Sequence, residues 1–374
     1  MSALAALGLG VAASIIAIII AGGVGWARRR GKPLARPVTP DQLREALDKQ
    51  KRQILEGVKQ EFNHYFGIAA RPAEQLVAAS DEERLRLLAQ AVEAQREHRY
   101  AEAIEFLKPC LRPGLPLQER VALHNLIGNS YMYMGQQAEA EPHYRQVLAA
   151  AEEMDDDQTR AAALGNLGRV YRQRGDLAKA EEYHKKALAI DEEIGNRLGQ
   201  AQDLGNLGNV YAQRGELDKA EEHYRRVLVI DERIGNRLGQ AKTLGNLGNV
   251  YFERGELDQA EQYHKKALAI NEEIGSRLDQ AQDLANLGLV YAQRGDLGKA
   301  EEHYRKALAI DEEIANRLGQ ANQFRNLGLL AEERGEVEKA WSLLNEAKAL
   351  YEAIGAGGPN ADIVLRALER LESE

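Results

Sequence analysis

From Leu164 onward the apolar and small positions recur at a step of forty residues: Leu164, Leu204, Leu244 and Leu284 align, as do Gly168, Gly208, Gly248, Gly288 and Gly328. Within one unit, Leu204, Leu207, Gly208 and Tyr211 follow i, i+3, i+4, i+7. After Gly215, the residues Leu217, Ala220, Tyr224, Val227, Leu228 and Ile234 continue a 3.6-residue stripe. Two antiparallel helices per unit are predicted, joined at Arg174-Gly175, Arg214-Gly215, Arg254-Gly255, Arg294-Gly295 and Arg334-Gly335. Self-similarity at this period means a stacked array of units, each too small to bury its own apolar face. Glycine inside a helix costs about 1 kcal/mol relative to alanine. Gly208 and its equivalents therefore imply that another helix backbone takes the space of a side chain, and the same holds for Ala220 and its equivalents.

Residues Leu164, Leu167-Gly168, Tyr171, Ala180, Tyr183/His184 and Ala187 resemble the signature of the tetratricopeptide repeat, over about residues 84–354. Where that family commonly closes its second helix with proline, this chain has Glu192, Glu232, Glu272 and Glu312, and no proline occurs between Pro142 and Pro359. Each second helix should therefore run on to about Ile194, Ile234, Ile274 and Ile314, and the longer unit resembles repeats of kinesin light chain and the animal cell-polarity adaptors. The resemblance implies an all-α, right-handed α-solenoid of helix-turn-helix repeats. Seven units are expected within 72–358, the first degenerate (Leu87, Ala91, Tyr100, Ala103, Cys110), with a capping helix, Ala361 to Leu371, inside 359–374. Pro142 falls early in a second helix, where it predicts a mild distortion.

The N-terminal pattern differs. Leu4 to Trp26 is an uncharged apolar run of the length a bilayer-spanning helix needs. Residues 1–27 are read as a transmembrane anchor, and the basic cluster after it, Arg28, Arg29, Arg30, Lys32 and Arg36, places the C-terminal body in the cytoplasm by the positive-inside rule. Residues 28–71 form a basic juncture and helical neck, with a helix predicted from about Pro40 to Phe66. A stripe of Ala6, Gly10, Ser14, Ala17, Ala21 and Gly25, or the neck helix, would permit homo-oligomerisation.

Charge and chemistry narrow the function. Residues 28–71 carry eleven Lys/Arg against five Asp/Glu (+6), and the rest of the chain 38 against 53 (−15). An acidic body argues against a nucleic-acid partner. The single cysteine, Cys110, excludes an intrachain disulfide and a multi-cysteine metal site. Five histidines, His143, His184, His223, His264 and His303, recur beside a tyrosine once per unit, which reads as one packing position rather than a metal site. Glu221 to Arg225, Glu222 to Arg226, Glu301 to Arg305 and Glu302 to Lys306 read as i, i+4 ion pairs on a solvated face, and Arg197, Arg237, Arg277 and Arg317 as bridges between units. No nucleophile elbow, phosphate loop or metal-ligand cluster is visible, so neither enzymatic activity nor a cofactor is expected.

What remains is the first-helix face opposite the core, which carries Gln202, Asn206, Asn209 and Gln213 in one unit. In the resembled family that face lines a concave peptide groove. The expected partner-binding groove is Asn125, Asn129, Asn166, Arg169, Asn206, Asn209, Asn246, Asn249, Asn286, Leu289 and Asn326. Amides both donate and accept, so such a ladder can hold the backbone of an extended ligand, or can instead tie neighbouring helices together. Variable members give polarity: Arg169 and Arg172 toward one end, Phe252, Leu289 and Leu329 toward the other. The resembled family's carboxylate clamps hold a cation where this chain has Gly165, Gly205 and Gly245. The expected function is a non-enzymatic, membrane-anchored scaffold that binds a peptide or partner protein; the alternative is a structural protein that self-assembles through its convex face.

Overall fold

The computed structural model describes residues 82–373. The anchor at 1–27, the neck at 28–71 and the pairing through either lie outside the described residues. Among the described residues no helix is long and apolar enough to cross a membrane.

The described residues run through fifteen α-helices: α1 (Glu82–Arg96), α2 (Tyr100–Leu107), α3 (Leu117–Tyr133), α4 (Gln137–Glu153), α5 (Asp157–Gln173), α6 (Leu177–Glu193), α7 (Arg197–Gln213), α8 (Leu217–Ile234), α9 (Arg237–Glu253), α10 (Leu257–Ile274), α11 (Arg277–Gln293), α12 (Leu297–Glu313), α13 (Arg317–Glu333), α14 (Val337–Ala353) and α15 (Pro359–Ser373). Each pairs with the next, giving seven hairpins followed by α15. α4 is continuous through Pro142. Cys110 is fully buried.

The hairpin turn is made by a left-handed glycine such as Gly215 (φ +75°), whose N–H and that of Glu216 close onto the end of α7. The connection to the next unit is held differently. Asn196 caps α7 by accepting from Gly199 N–H, its amide donates to Asp191 at 2.9 Å, and Gln200 donates to the Asp191 carbonyl at 2.8 Å. Gly199, Gly239 and Gly319 lie directly against Asp191, Asp231 and Asp311, so no side chain fits there. In the fifth unit Asn271 replaces the aspartate, and Asp279 and Ser276 replace the glycine and the capping asparagine.

The core runs as a chain of local clusters, each shared by neighbouring units. The helix glycines meet a side chain, which corrects the expectation of a close backbone. A Cβ on Gly208 would stand 2.5 Å from the Tyr224 ring, and one on Gly168 or Gly248 2.6 Å from the imidazole of His184 or His264. First helices α5 and α7, α9 and α11, α11 and α13 also touch one another, which puts the row of first helices on the inner side of the stack.

Candidate functional site

The first-helix amides divide into two sets. Asn125 and Asn129 are buried, and Asn129 accepts from Tyr144 OH at 2.6 Å. Asn209 accepts from Tyr224 OH at 2.7 Å, and Asn326 is buried and accepts from Arg325 at 3.0 Å. Asn125, Asn129 and Asn326 are thus withdrawn from the surface, Asn125 with its Oδ1 unpartnered, while Asn209 is half-buried with its oxygen taken by Tyr224. Asn166, Asn206, Asn246 and Asn286 are half-buried and Asn249 is exposed. Asn166 accepts from Arg169 at 3.3 Å and Asn286 from Gln282 at 3.1 Å, both along their own helices. Asn206, Asn246 and Asn249 make no side-chain hydrogen bond to any described residue. Leu289 is 41% exposed and Arg169 half-buried. The accessible strip is therefore Asn166, Arg169, Asn206, Asn246, Asn249, Asn286 and Leu289, with Gln202 and Gln213 exposed beside it.

Beneath the strip the core alternates. The histidines occupy two positions rather than one. His184 and His264 are fully buried against helix glycines, where the neighbouring units place Tyr144, Tyr224 and Tyr304. His223 and His303 sit at the preceding residue, with rings 4.9 Å from Tyr211 and Tyr291, where other units stack Tyr183 on Tyr171 and Tyr263 on Tyr251. The residue nineteen positions on changes in step, Asp203 after His184, Thr243 after Tyr224, Asp283 after His264 and Gln323 after Tyr304, but only His184 bonds it; His264 Nδ1 is buried and unpartnered. His184 Nδ1 lies 3.0 Å from Asp203 Oδ1, and both side chains are buried. Burial disfavours both charged forms, pushing the imidazole down and the carboxyl up. Burial likewise lowers His264 to about 4 and raises Asp283 to about 7, against a hydrogen bond from Asn271 at 2.7 Å.

The outer bridges also differ from expectation. Glu221 accepts from Arg225 at 2.8 Å, as predicted, but also from Tyr251 OH at 2.6 Å and Arg254 at 2.5 Å in the next unit. Its side chain is only 18% exposed, so it is an inter-unit latch rather than a solvated pair. Glu141, Glu181, Glu261 and Glu301 repeat the role with Arg174, Arg214, Arg294 and Arg334. Arg226 reaches Glu192 at 3.6 Å instead of Glu222. Glu302 and Lys306 pair at 2.5 Å. None of the connection arginines bridges units: Arg237 and Arg277 pair with Glu273 and Glu313 of the second helix in their own hairpins, and Arg197 and Arg317 hold Gln200 and Gln320. Among the described residues no group of three or more His, Cys, Asp or Glu could hold a metal ion.

One surface went unread in the sequence. Ile194, Leu198, Ile234, Leu238, Ile274, Leu278, Ile314 and Leu318 are between 36% and 56% exposed, two per inter-unit connection. The signal was present as an aliphatic pair at each connection, but in a helix-period reading these residues count as core.

A tetratricopeptide repeat model matches the chain at residues 119–193, 199–273 and 279–353. No curated protein matches it. Among solved structures, the fold is similar to aspartyl phosphate phosphatase F from Bacillus subtilis, at 15% identity and TM-score 0.60 over 87% of this chain and 79% of that one. It is similar also to a Rap protein complexed with competence and sporulation factor, at 16% identity and TM-score 0.59 over 87% and 98%, and to the apo form of RapI, at 17% and 0.59 over 74% and 100%. At such identities the likeness is one of fold.

Proposed function

The chain belongs to the tetratricopeptide repeat family, and from that premise we propose that it is a non-enzymatic, membrane-anchored scaffold that holds an extended segment of a partner protein along the inner face of its first helices. The observation that carries the reading is the run of Asn206, Asn246 and Asn286, in register one unit apart, half-buried, and bonded to nothing beyond their own helices. Asparagine is a poor helix former, so a packing role would have to show itself in hydrogen bonds such as those of Asn129 and Asn209. A half-buried amide with free donors and acceptors suits the backbone of a bound chain. A Rap protein of the same fold in complex with competence and sporulation factor is in keeping with a solenoid that binds a partner.

Anchoring rests on the apolar run Leu4 to Trp26 and the basic cluster behind it, with the repeat body on the cytoplasmic side. No cofactor and no catalytic role are assigned. The test of the groove is substitution of Asn206, Asn246 and Asn286 by alanine in the full chain. Affinity for a captured partner should fall while the melting temperature holds or rises, since alanine is the better helix former. Unchanged affinity with a lowered melting temperature would make the ladder structural.

A further inference from the structure

We propose that Arg169 and Arg172 form a seat for neighbouring carboxylates of an acidic, extended partner segment, so that the bound chain lies with its acidic part on the third unit. The proposal rests on the groove reading above and adds the chemistry of its ligand.

The two arginines stand apart from the others near the ends of first helices. Arg174, Arg214, Arg254, Arg294 and Arg334 each pair with a glutamate of the preceding second helix. Arg169 and Arg172 pair with no carboxylate among the described residues. Arg169 donates only to Asn166, and Arg172 is half-buried with its Nε buried and unpartnered. Both lie on α5, three residues apart, where like charges repel. Burial and the Arg169 guanidinium hold Arg172 below its ordinary pKa. Arg169 lies within electrostatic reach of Tyr144 and His184, and Arg172 of His184 and Tyr224. None of these three carries a compensating negative charge at neutral pH.

No other described unit carries this pair. The matching positions hold Asn129 and Met132, Asn209 and Ala212, Asn249 and Phe252, Leu289 and Ala292, Leu329 and Glu332. Two uncompensated guanidiniums on one face of a net-acidic body are a ready site for carboxylates, which the planar fork takes in bidentate fashion. A protein segment fits better than a free anion, because Asn166 lies beside the pair and Asn206 and Asn246 continue the row of accessible amides past it. The exposed Leu289 and half-buried Phe252 and Leu329 further along supply apolar contact to the same chain.

The experiment uses the full chain and a capped, fluorescein-labelled peptide in which alternating Asp and Ser precede an apolar stretch, with an Asn-for-Asp peptide as its neutral counterpart. Fluorescence anisotropy should show tighter binding of the acidic peptide, weakened about tenfold by Arg169→Gln and by Arg172→Gln, the scale of a charge-assisted hydrogen bond. Lys266→Gln, an exposed cation on a second helix, should leave binding unchanged. Circular dichroism melting confirms that each variant is folded. Equal affinity for the two peptides, or no binding of the acidic one, overturns the seat. Loss of binding in Asn206→Ala and Asn246→Ala but not in the arginine variants overturns the seat and leaves the groove standing. Indifference to all four overturns both. Competition by inorganic pyrophosphate as effective as by the unlabelled acidic peptide reduces the site to one for small anions and overturns the acidic-segment assignment.

Discussion

His184 and Tyr224 take the same place in successive units, each against the glycine of its own first helix, yet they settle their polar atoms in opposite directions. Tyr224 reaches toward the inner face and donates to Asn209, whereas His184 turns to Asp203 of the next unit. The two solutions should not mix. His184→Tyr would point a phenol at Arg169 and strand Asp203, and Asp203→Thr would strand His184; either should cost about 1–3 kcal/mol. The double variant restores the arrangement of Tyr224 and Thr243, so urea unfolding should give a favourable coupling of about 0.5–3 kcal/mol. The helical period was legible because it needs only the spacing of Leu204, Leu207 and Tyr211. The partner of a buried histidine was not, because it depends on how α6 and α7 register across nineteen residues. The letters held a clue in the joint alternation of His with Asp and Tyr with Thr or Gln. For the same reason Asn129 and Asn209 could not be told from Asn206 and Asn246 before the tyrosine hydroxyls were placed.

Between elements, the main polar tie is the glutamate latch. Burial alone would raise the Glu221 pKa, but hydrogen bonds from Tyr251, Arg254 and Arg225 together bring it down to about 2. Glu141, Glu181, Glu261 and Glu301 are likewise held at about 2. A carboxyl at about 2 in the fold and about 4.3 in the unfolded chain contributes fully above the unfolded value. That contribution is lost as pH falls through the folded value, so acid unfolding should set in between about pH 4.5 and 2. Glu221→Gln should cost about 1–3 kcal/mol at neutral pH. Denaturant midpoints followed over that acid range should fall less steeply for the variant than for the parent; parallel slopes would show that Glu221 stays protonated or unpaired in the fold. In sequence, Glu221 looked like half of an ordinary i, i+4 pair, since its other partners lie 30 and 33 residues away and become neighbours only through stacking.

Because each unit touches little beyond its neighbours, the stability of the whole array depends on how its ends are closed. At the C-terminal end, Val364, Ala367, Leu368 and Leu371 of α15 bury against Ala340, Leu344, Ala347 and Tyr351, and Arg370 pairs with Glu332 at 2.8 Å. Tyr351 donates to Asn322 at 2.7 Å, fixing α14 to its first helix before α15 covers both. Each buried aliphatic side chain is worth about 1.5–3 kcal/mol. A chain ending at Gly358 would uncover the α13–α14 hairpin, whose own contribution is of similar size. Hydrogen exchange should then show α13 and α14 opening well before α7 to α10, with the interior units unchanged. Uniform loss of protection along the array would instead mean that the units unfold as one and that α15 is more than a local cover. The capping helix expected from Ala361 to Leu371 was legible in the sequence, since an amphipathic helix after the last repeat has only one apolar surface left to meet.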